Sequence, residues 1–340
     1  MQIGLVGYQG CGKSTLFGWL TGVEPDPGAR QGQRAMALLE DPYLEQLQQI
    51  YQAKKATPAS LELVDTPGLN RSHEGNAARL AALREVDCLA VVVPVFAGAD
   101  PQQDLQSFQE DLLLTDLEIV SRRIQRLEES VKRPKPSRQQ ELEELEALRP
   151  LQRQLEAGKP LDPQQMNPIQ YRATRPFRLF AEKPRLVVFN VGEDQASPQH
   201  HRHLQQMASP SVVVPLGFEV EAASLPPAQR DELAREFDIL PVDRNQVLQA
   251  MLAASGQIVF YTCGPKEVRA RLLPGGSTAL EAAAAVHTDL ARGFIRAEVF
   301  RAEDLVRLGS LRELKAQGLV RQEHKGYLVQ PGEVVLIRHN

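Results

Sequence analysis

Cysteine is scarce in this sequence. Its 340 residues hold three, Cys11, Cys88 and Cys263, far apart and with no C-x-x-C pair. That excludes a disulfide framework and a cysteine zinc site, and it fits a reducing compartment. Charge of one sign is not in excess either. Lys plus Arg 39 against Asp plus Glu 43 leaves a net charge of −4, so the whole chain has no cationic field for DNA or an anionic membrane, and any RNA contact must come from a local patch. Aromatic residues are few, 5%, but apolar residues at 42% and charged residues at 24% are ordinary for a folded chain. No apolar run can cross a bilayer; the best, Cys88 to Ala99, is too short. The start, Met-Gln-Ile-Gly-Leu-Val-Gly, has no basic region followed by a leader-like apolar core. A cytoplasmic protein with neither membrane nor DNA as partner is expected.

What is present is a rhythm. Short apolar runs recur at Ile3 to Val6, Leu61 to Val64, Leu89 to Phe96, Leu186 to Val191 and Val212 to Leu216, with helix-length segments between them. This predicts an α/β fold with a parallel sheet and crossover helices. After Leu105 the rhythm stops. Leu113, Leu117, Val120, Ile124, Leu127 and Val131 alternate steps of four and three, a coiled-coil seam. Pro134 and Pro136 break it, and Leu142, Leu145, Leu148, Leu151 and Leu155 begin a second helix ending near Gly158 and Pro160. The two predict an antiparallel helical hairpin inserted between strands. From Ile258 onward short β runs return, at Ile258 to Tyr261, Phe294 to Val299, Tyr327 to Val329 and Val334 to Ile337. Among them Thr278-Ala-Leu-Glu281 reads as a capping box opening a helix to about Val286. This small α+β module carries +3 and leaves −7 on the rest.

Gly7-Tyr8-Gln9-Gly10-Cys11-Gly12-Lys13-Ser14 satisfies G-x-x-x-x-G-K-[S/T], directly after the first run and ahead of a helix through Thr21. In such a loop Gly7, Gly10 and Gly12 let backbone N–H groups, with those of Cys11 to Thr15, turn toward a polyphosphate, and the helix N-terminus adds its positive end. Lys13 is expected at the β and γ phosphates, where it serves catalysis, and Ser14 at a magnesium ion. Asp65-Thr66-Pro67-Gly68 follows the second run with the D-x-x-G form of a switch. There Asp65 can hold the Mg2+ shell and the Gly68 amide can meet the γ-phosphate, although the tetrapeptide is also a good turn. Position 69 is leucine where Ras-type enzymes place the water-orienting glutamine, so His73 and Glu74 are the nearest polar candidates for that task; a solvated loop histidine is the alternative. No Ser or Thr lies between Thr21 and Thr57 to complete the magnesium site. Cys11 beside Lys13 and the helix start is a place where a thiolate would be favoured, or simply a small residue filling the loop.

Asn190-Val191-Gly192-Glu193 stands where a GTPase carries N-K-x-D. Glu193 is one methylene longer than Asp and Val191 cannot supply the lysine stem, so guanine loses its dedicated acceptor. Asn190 can still meet a purine edge through its amide. ATP is therefore expected over GTP.

These residues together resemble a family. The P-loop, N-V-G-E, the apolar residue after D-x-x-G and the hairpin insert accompany a C-terminal block that reads Tyr261-Thr-Cys-Gly-Pro-Lys-Glu-Val-Arg-Ala270, Gly276-Ser-Thr278, His287-Thr-Asp289 and Arg292-Gly-Phe-Ile-Arg-Ala-Glu-Val299. The set is similar to the YchF-type Obg-like ATPases. The resemblance implies a P-loop NTPase domain in two parts, 1–105 and 166–256, around a hairpin at 106–165. A ubiquitin-like β-grasp (TGS) domain at 257–340 follows. It also implies slow ATP hydrolysis, a nucleotide-dependent regulatory switch, and the ribosome or ribosomal RNA as partner. A nucleotide-sensing binder without hydrolysis, or a GTPase, is the alternative. The sequence departs from the family pattern at Gly10, where the family has Asn, at Asp65-Thr-Pro-Gly68 for D-I-A-G, and at Leu216-Gly-Phe-Glu219 for the S-A-K-x-E base loop. Lys132, Arg133, Lys135 and Arg138 at the hairpin turn are candidate RNA-phosphate contacts, as are Lys266, Arg269, Arg271, Arg292 and Arg296 in the C-terminal module.

Overall fold

The computed structural model describes residues 1–26, 28–29, 32–96 and 98–339. Ala97 of the best apolar run and three positions between Thr21 and Thr57 lie outside them. The order begins β1 (Gln2–Val6), α1 (Lys13–Thr21), β2 (Gln33–Leu38), α2 (Leu44–Tyr51), β3 (Ala56–Thr57), β4 (Ser60–Asp65), α3 (Asn76–Arg84) and β5 (Cys88–Val95). It continues through α4 (Pro101–Ser130), α5 (Arg138–Glu156), α6 (Pro168–Thr174), β6 (Arg185–Val191), α7 (Pro198–Met207), β7 (Ser211–Val214), α8 (Leu216–Ala222) and α9 (Pro227–Glu236). It ends with α10 (Arg244–Ala254), β8 (Gln257–Cys263), β9 (Val268–Pro274), α11 (Ala279–Val286), α12 (Thr288–Arg292), β10 (Phe294–Arg301), two short helices, β11 (Arg321–Glu323) and β12 (Glu333–His339). Two compact units result, one of Met1–Ala35 with Leu63–Asp243, the other of Met36–Glu62 with Arg244–Asn340. No described helix is long and apolar enough to cross a membrane.

The first unit is the α/β domain, on a sheet ordered β2-β4-β1-β5-β6-β7. β1, β5, β6 and β7 run parallel, with Val6 beside Val91 and Val93 beside Phe189. β5 is buried along nearly its whole length, which is why its run is continuous rather than alternating. The expected strands are all present. β2 was not expected, because it is half exposed, with Met36 and Leu38 on its open side.

The hairpin is α4 and α5. Asp100 caps α4 by accepting from the N–H groups of Gln102 and Gln103, with Pro101 in the first turn. Val120, Ile124 and Leu127 of α4 pack with Leu145, Leu148, Leu151 and Leu155 of α5, the pairing that the four-three seam predicts. Arg123 clamps Glu144 through two bonds of 2.7 Å. At the turn, Lys135 binds Ser130 and, at 2.8 Å, Glu141, while Arg138 Nε donates to the Val131 carbonyl at 2.9 Å. Two of the four basic residues read as phosphate contacts therefore close the turn.

The second unit is a mixed sheet, β11-β10-β12-β8-β9-β3. β8 and β9 form an antiparallel pair, and β12 runs parallel to β8 and antiparallel to β10. With α11 packed on Phe260, Leu273, Ala297 and Val299, this is the β-grasp arrangement. Thr278 and Glu281 form the capping box as expected. Tyr327 to Val329 is not a strand; Leu328 makes a single bridge to Thr278. Within this unit Tyr261 donates to Asp41 at 2.7 Å, Thr57 donates to Glu267 at 2.5 Å, and β3 pairs with β9.

Candidate nucleotide site

β1 ends at Val6, and the chain turns through three glycines of positive φ, Gly7, Gly10 and Gly12, into α1. Gly12 is the tightest of them. A Cβ there would stand 2.3 Å from Asn190 Nδ2, so the position excludes any side chain on space as well as on its φ of 100°. Asn190 lies at the end of β6 and donates through Nδ2 to the Cys11 carbonyl at 3.0 Å. Its amide nitrogen thus holds the loop. Val191, the next residue, is buried in the sheet core, and Glu193 is exposed at the start of the turn that follows.

Lys13 is buried, and its ammonium donates to the Tyr8 carbonyl at 2.8 Å and lies 3.6 Å from Cys11 Sγ. Ser14 and Thr15 are exposed in the first turn of α1. Cys11 is fully buried, and burial pushes its thiol up, with Lys13 pulling the other way. Of the two readings of Cys11, the small residue filling the loop is the one its burial supports, and burial disfavours the thiolate.

Asp65 closes β4 opposite the loop. Burial raises its carboxyl above the ordinary range, opposed by a hydrogen bond from Ser14 and by the Lys13 charge. Its Oδ1 is buried with no hydrogen-bond partner among the described residues. A buried carboxylate oxygen with an open lone pair beside a serine hydroxyl is a donor set suited to Mg2+, a hard cation that takes oxygen and keeps waters and substrate phosphates in its shell. No three His, Cys, Asp or Glu side chains among the described residues converge to hold a metal alone. Thr66 is turned away, donating to the Leu5 carbonyl at 2.6 Å.

The D-x-x-G loop is zipped to the P-loop. Gln9 N–H donates to the Leu69 carbonyl at 2.9 Å and Leu69 N–H to the Gly7 carbonyl at 3.0 Å. Leu69 is fully buried. A Cβ on Gly68 would lie 2.7 Å from Lys13 Nζ and 3.0 Å from Gln9 N and Cα, so the glycine lets the two loops and the lysine converge. Beyond it, Arg71 pairs with Asp104 at 2.6 Å over the Tyr8 ring. His73 Nδ1 faces Asp111 at 3.2 Å, and the same carboxylate accepts from Tyr8 OH at 3.0 Å. His73 is 69% exposed in its side chain. Glu219, in the segment departing from the family's base loop, is buried against Arg230 at 2.6 Å and accepts from Val242 N–H at 2.7 Å. It is a structural carboxylate.

Sequence reasoning passed over Gln9 and Arg79. The Gln9 carboxamide, turned so that its oxygen meets donors, faces Arg79 Nη1 and Nη2 at 3.2 Å each. No local signal links residues 70 positions apart on a loop and a helix.

A glycine loop between strand and helix, an invading lysine and a facing Asp at the next strand end define a P-loop nucleotide-binding domain. Residues 2–123 match the model of the 50S ribosome-binding GTPases. Residues 257–340 match the YchF-GTPase C-terminal model, described as a protein of unknown function (DUF933). The chain is 32% identical to the ribosome-binding ATPase YchF of Haemophilus influenzae, over 100% of this chain and 99% of that one. It is 31% identical to Obg-like ATPase 1 of Oryza sativa subsp. japonica, over 100% and 92%. The chain belongs to the YchF family. The Schizosaccharomyces pombe YchF GTPase shares its fold, with a TM-score of 0.82 at 22% identity over 99% of this chain and 97% of that one.

Proposed function

We propose that this protein is a cytoplasmic, ribosome-associated ATPase that turns over slowly and acts as a nucleotide-dependent regulatory switch. The observation that carries the reading is the convergence of Lys13, Asp65 and Gly68 on the mouth of the P-loop. Lys13 would leave the Tyr8 carbonyl for the β and γ phosphates, and the N–H groups of the glycine loop would carry the rest of their charge. Ser14 and Asp65 would hold Mg2+, which supplies charge neutralisation at the phosphates when bound. Asn190 would keep the loop in register through its Nδ2, leaving its Oδ1 and the exposed Glu193 as polar groups free to meet a base. The short acceptor and lysine that guanine requires are missing, which supports adenine. The ribosome enters through the relatives, named ribosome-binding ATPases.

The test is titration of the full chain and a Lys13→Ala variant with fluorescent ATP and GTP analogues in Mg2+. Phosphate release on the same samples, with and without ribosomes, completes it. Tighter ATP binding with slow, Lys13-dependent release is expected. Tight binding without release would point to a sensing module, and GTP preference would overturn the base argument.

A further inference from the structure

Hydrolysis needs a polar group that holds the attacking water in line, and the position after D-x-x-G supplies only the buried side chain of Leu69. His73 is engaged with Asp111 at a point four residues further along the loop. Gln9 is different. Its N–H bonds the carbonyl of Leu69 itself, and its Cα lies 3.0 Å from where a Gly68 side chain would begin, beside the point that Lys13 Nζ reaches. The chain thus has a glutamine, carried by the P-loop instead of the switch, at the end of the site where the reading above puts the γ-phosphate. Gln9 has no positive φ and is exposed, so neither backbone strain nor packing accounts for the residue. The Arg79 guanidinium, from α3, holds the carboxamide oxygen through two contacts of 3.2 Å.

We propose that Gln9 is the water-orienting residue of this site and that Arg79 is the positioning residue that sets its carboxamide. The inference rests on the hydrolase reading above. In the step, the water oxygen forms a bond to the γ-phosphorus as the bond from that phosphorus to the β–γ bridging oxygen breaks. The electron pair stays on the β-phosphate of the departing ADP. In the step one of the two Arg79 contacts gives way, so that the carboxamide oxygen, still held by the other, accepts a hydrogen bond from the water while its NH2 donates to a γ-phosphate oxygen. One water proton goes to solvent and the other stays on the released phosphate. Glutamine itself neither gains nor loses a proton.

Single-turnover ATP hydrolysis in Mg2+ by the full chain, by Gln9→Ala and by the near-isosteric Gln9→Glu tests this, with affinity for a fluorescent ATP analogue measured on each. Both variants are expected to lose on the order of a hundred-fold in rate, with affinity changed by no more than about three-fold and melting unchanged. ADP with aluminium fluoride, a mimic of the transferring phosphoryl group, should be trapped by the parent and not by Gln9→Ala. Arg79→Lys should lower the rate at unchanged affinity. Gln9→Ala combined with Arg79→Ala should be no slower than Gln9→Ala alone, the non-additivity expected of residues acting as a unit. Lys13-dependent hydrolysis in the parent that survives Gln9→Ala would overturn the inference and leave the hydrolase reading standing. A parent that binds ATP and releases no phosphate would overturn both.

Discussion

Asp65 is a carboxylate that its surroundings penalise. Burial holds its carboxyl above the ordinary range, so the ionised form is the costly one in the folded protein. The sign follows. This group's contribution to stability falls as pH rises from the ordinary carboxylate range through the raised value, and is flat above it. Asp65→Asn removes that fall, so the variant without nucleotide should melt higher than the parent at neutral pH, while the Mg2+-dependent tightening of ATP binding disappears; paired melting curves and titrations check both. Gly12→Ala should act in the opposite sense. A methyl 2.3 Å from Asn190 Nδ2, at a φ costing about 1–2 kcal/mol for any L side chain, must displace the Asn190 bond to Cys11, lowering the melting temperature and abolishing nucleotide binding. The loop that carries Lys13 and Ser14 was legible in the sequence because its geometry is local, a strand, a turn only glycine can make, and a helix; Asp65 was legible only as a strand-end motif. Gln9 and Arg79 were not, since their meeting depends on how α3 leaves the switch loop, which no spacing encodes. The burial of Cys11 was equally hidden, being a matter of which way a loop residue turns, whereas that of Val191 follows from its place at the end of the β6 run.

Among the elements, α4 has two working faces, and only the apolar one shows as a pattern. Leucines in four-three steps announce the partner helix. Nearer its start, Leu105, Phe108 and Leu112 join the core of the α/β domain, and the polar contacts there are made by three aspartates with no shared period: Asp104 to Arg71, Asp111 to Tyr8 and His73, and Asp116 to Arg84. Asp116 is fully buried and also accepts from the N–H groups of Phe180 and Ala181 at 3.1 and 2.8 Å. Arg84 covers the Phe180 ring and bonds the Phe177 and Arg178 carbonyls. Removing one partner leaves the other charge buried and unpaired. Arg84→Ala should therefore cost about 3–5 kcal/mol, read as a drop in the urea midpoint, and adding Asp116→Asn should recover part of it. β9 escaped notice for a related reason. Val268 and Ala270 are buried while Arg269 is exposed, an alternation too short and too rich in arginine to read as a strand.

At the scale of the whole molecule, the C-terminal unit is not continuous in sequence. Residues 36–62 pack with 244–340, giving β9 its outer neighbour β3 and satisfying the Tyr261 hydroxyl with Asp41. An isolated fragment 257–340 should accordingly melt lower and less cooperatively than the same module in the full chain, with Tyr261→Phe in the full chain reproducing a small part of the loss. Differential scanning calorimetry separates the cases. Nothing local in 36–62 announces this, because Asp41 reads as a turn residue and Thr57 as an ordinary polar one. The P-loop rhythm and the capping box were readable from the sequence alone; the discontinuity required the fold. The ties at Asp104 and Asp111 have a mechanical side. They grip the root of a helix that, at 1.5 Å per residue over 30 residues, extends about 45 Å. A tilt of about 5° at that root would carry the far turn, with exposed Lys132 and Arg133, through about 4 Å. A displacement of the Asp65–Gly68 loop too small to notice where it begins would thus arrive at the tip as a shift wider than a hydrogen bond is long.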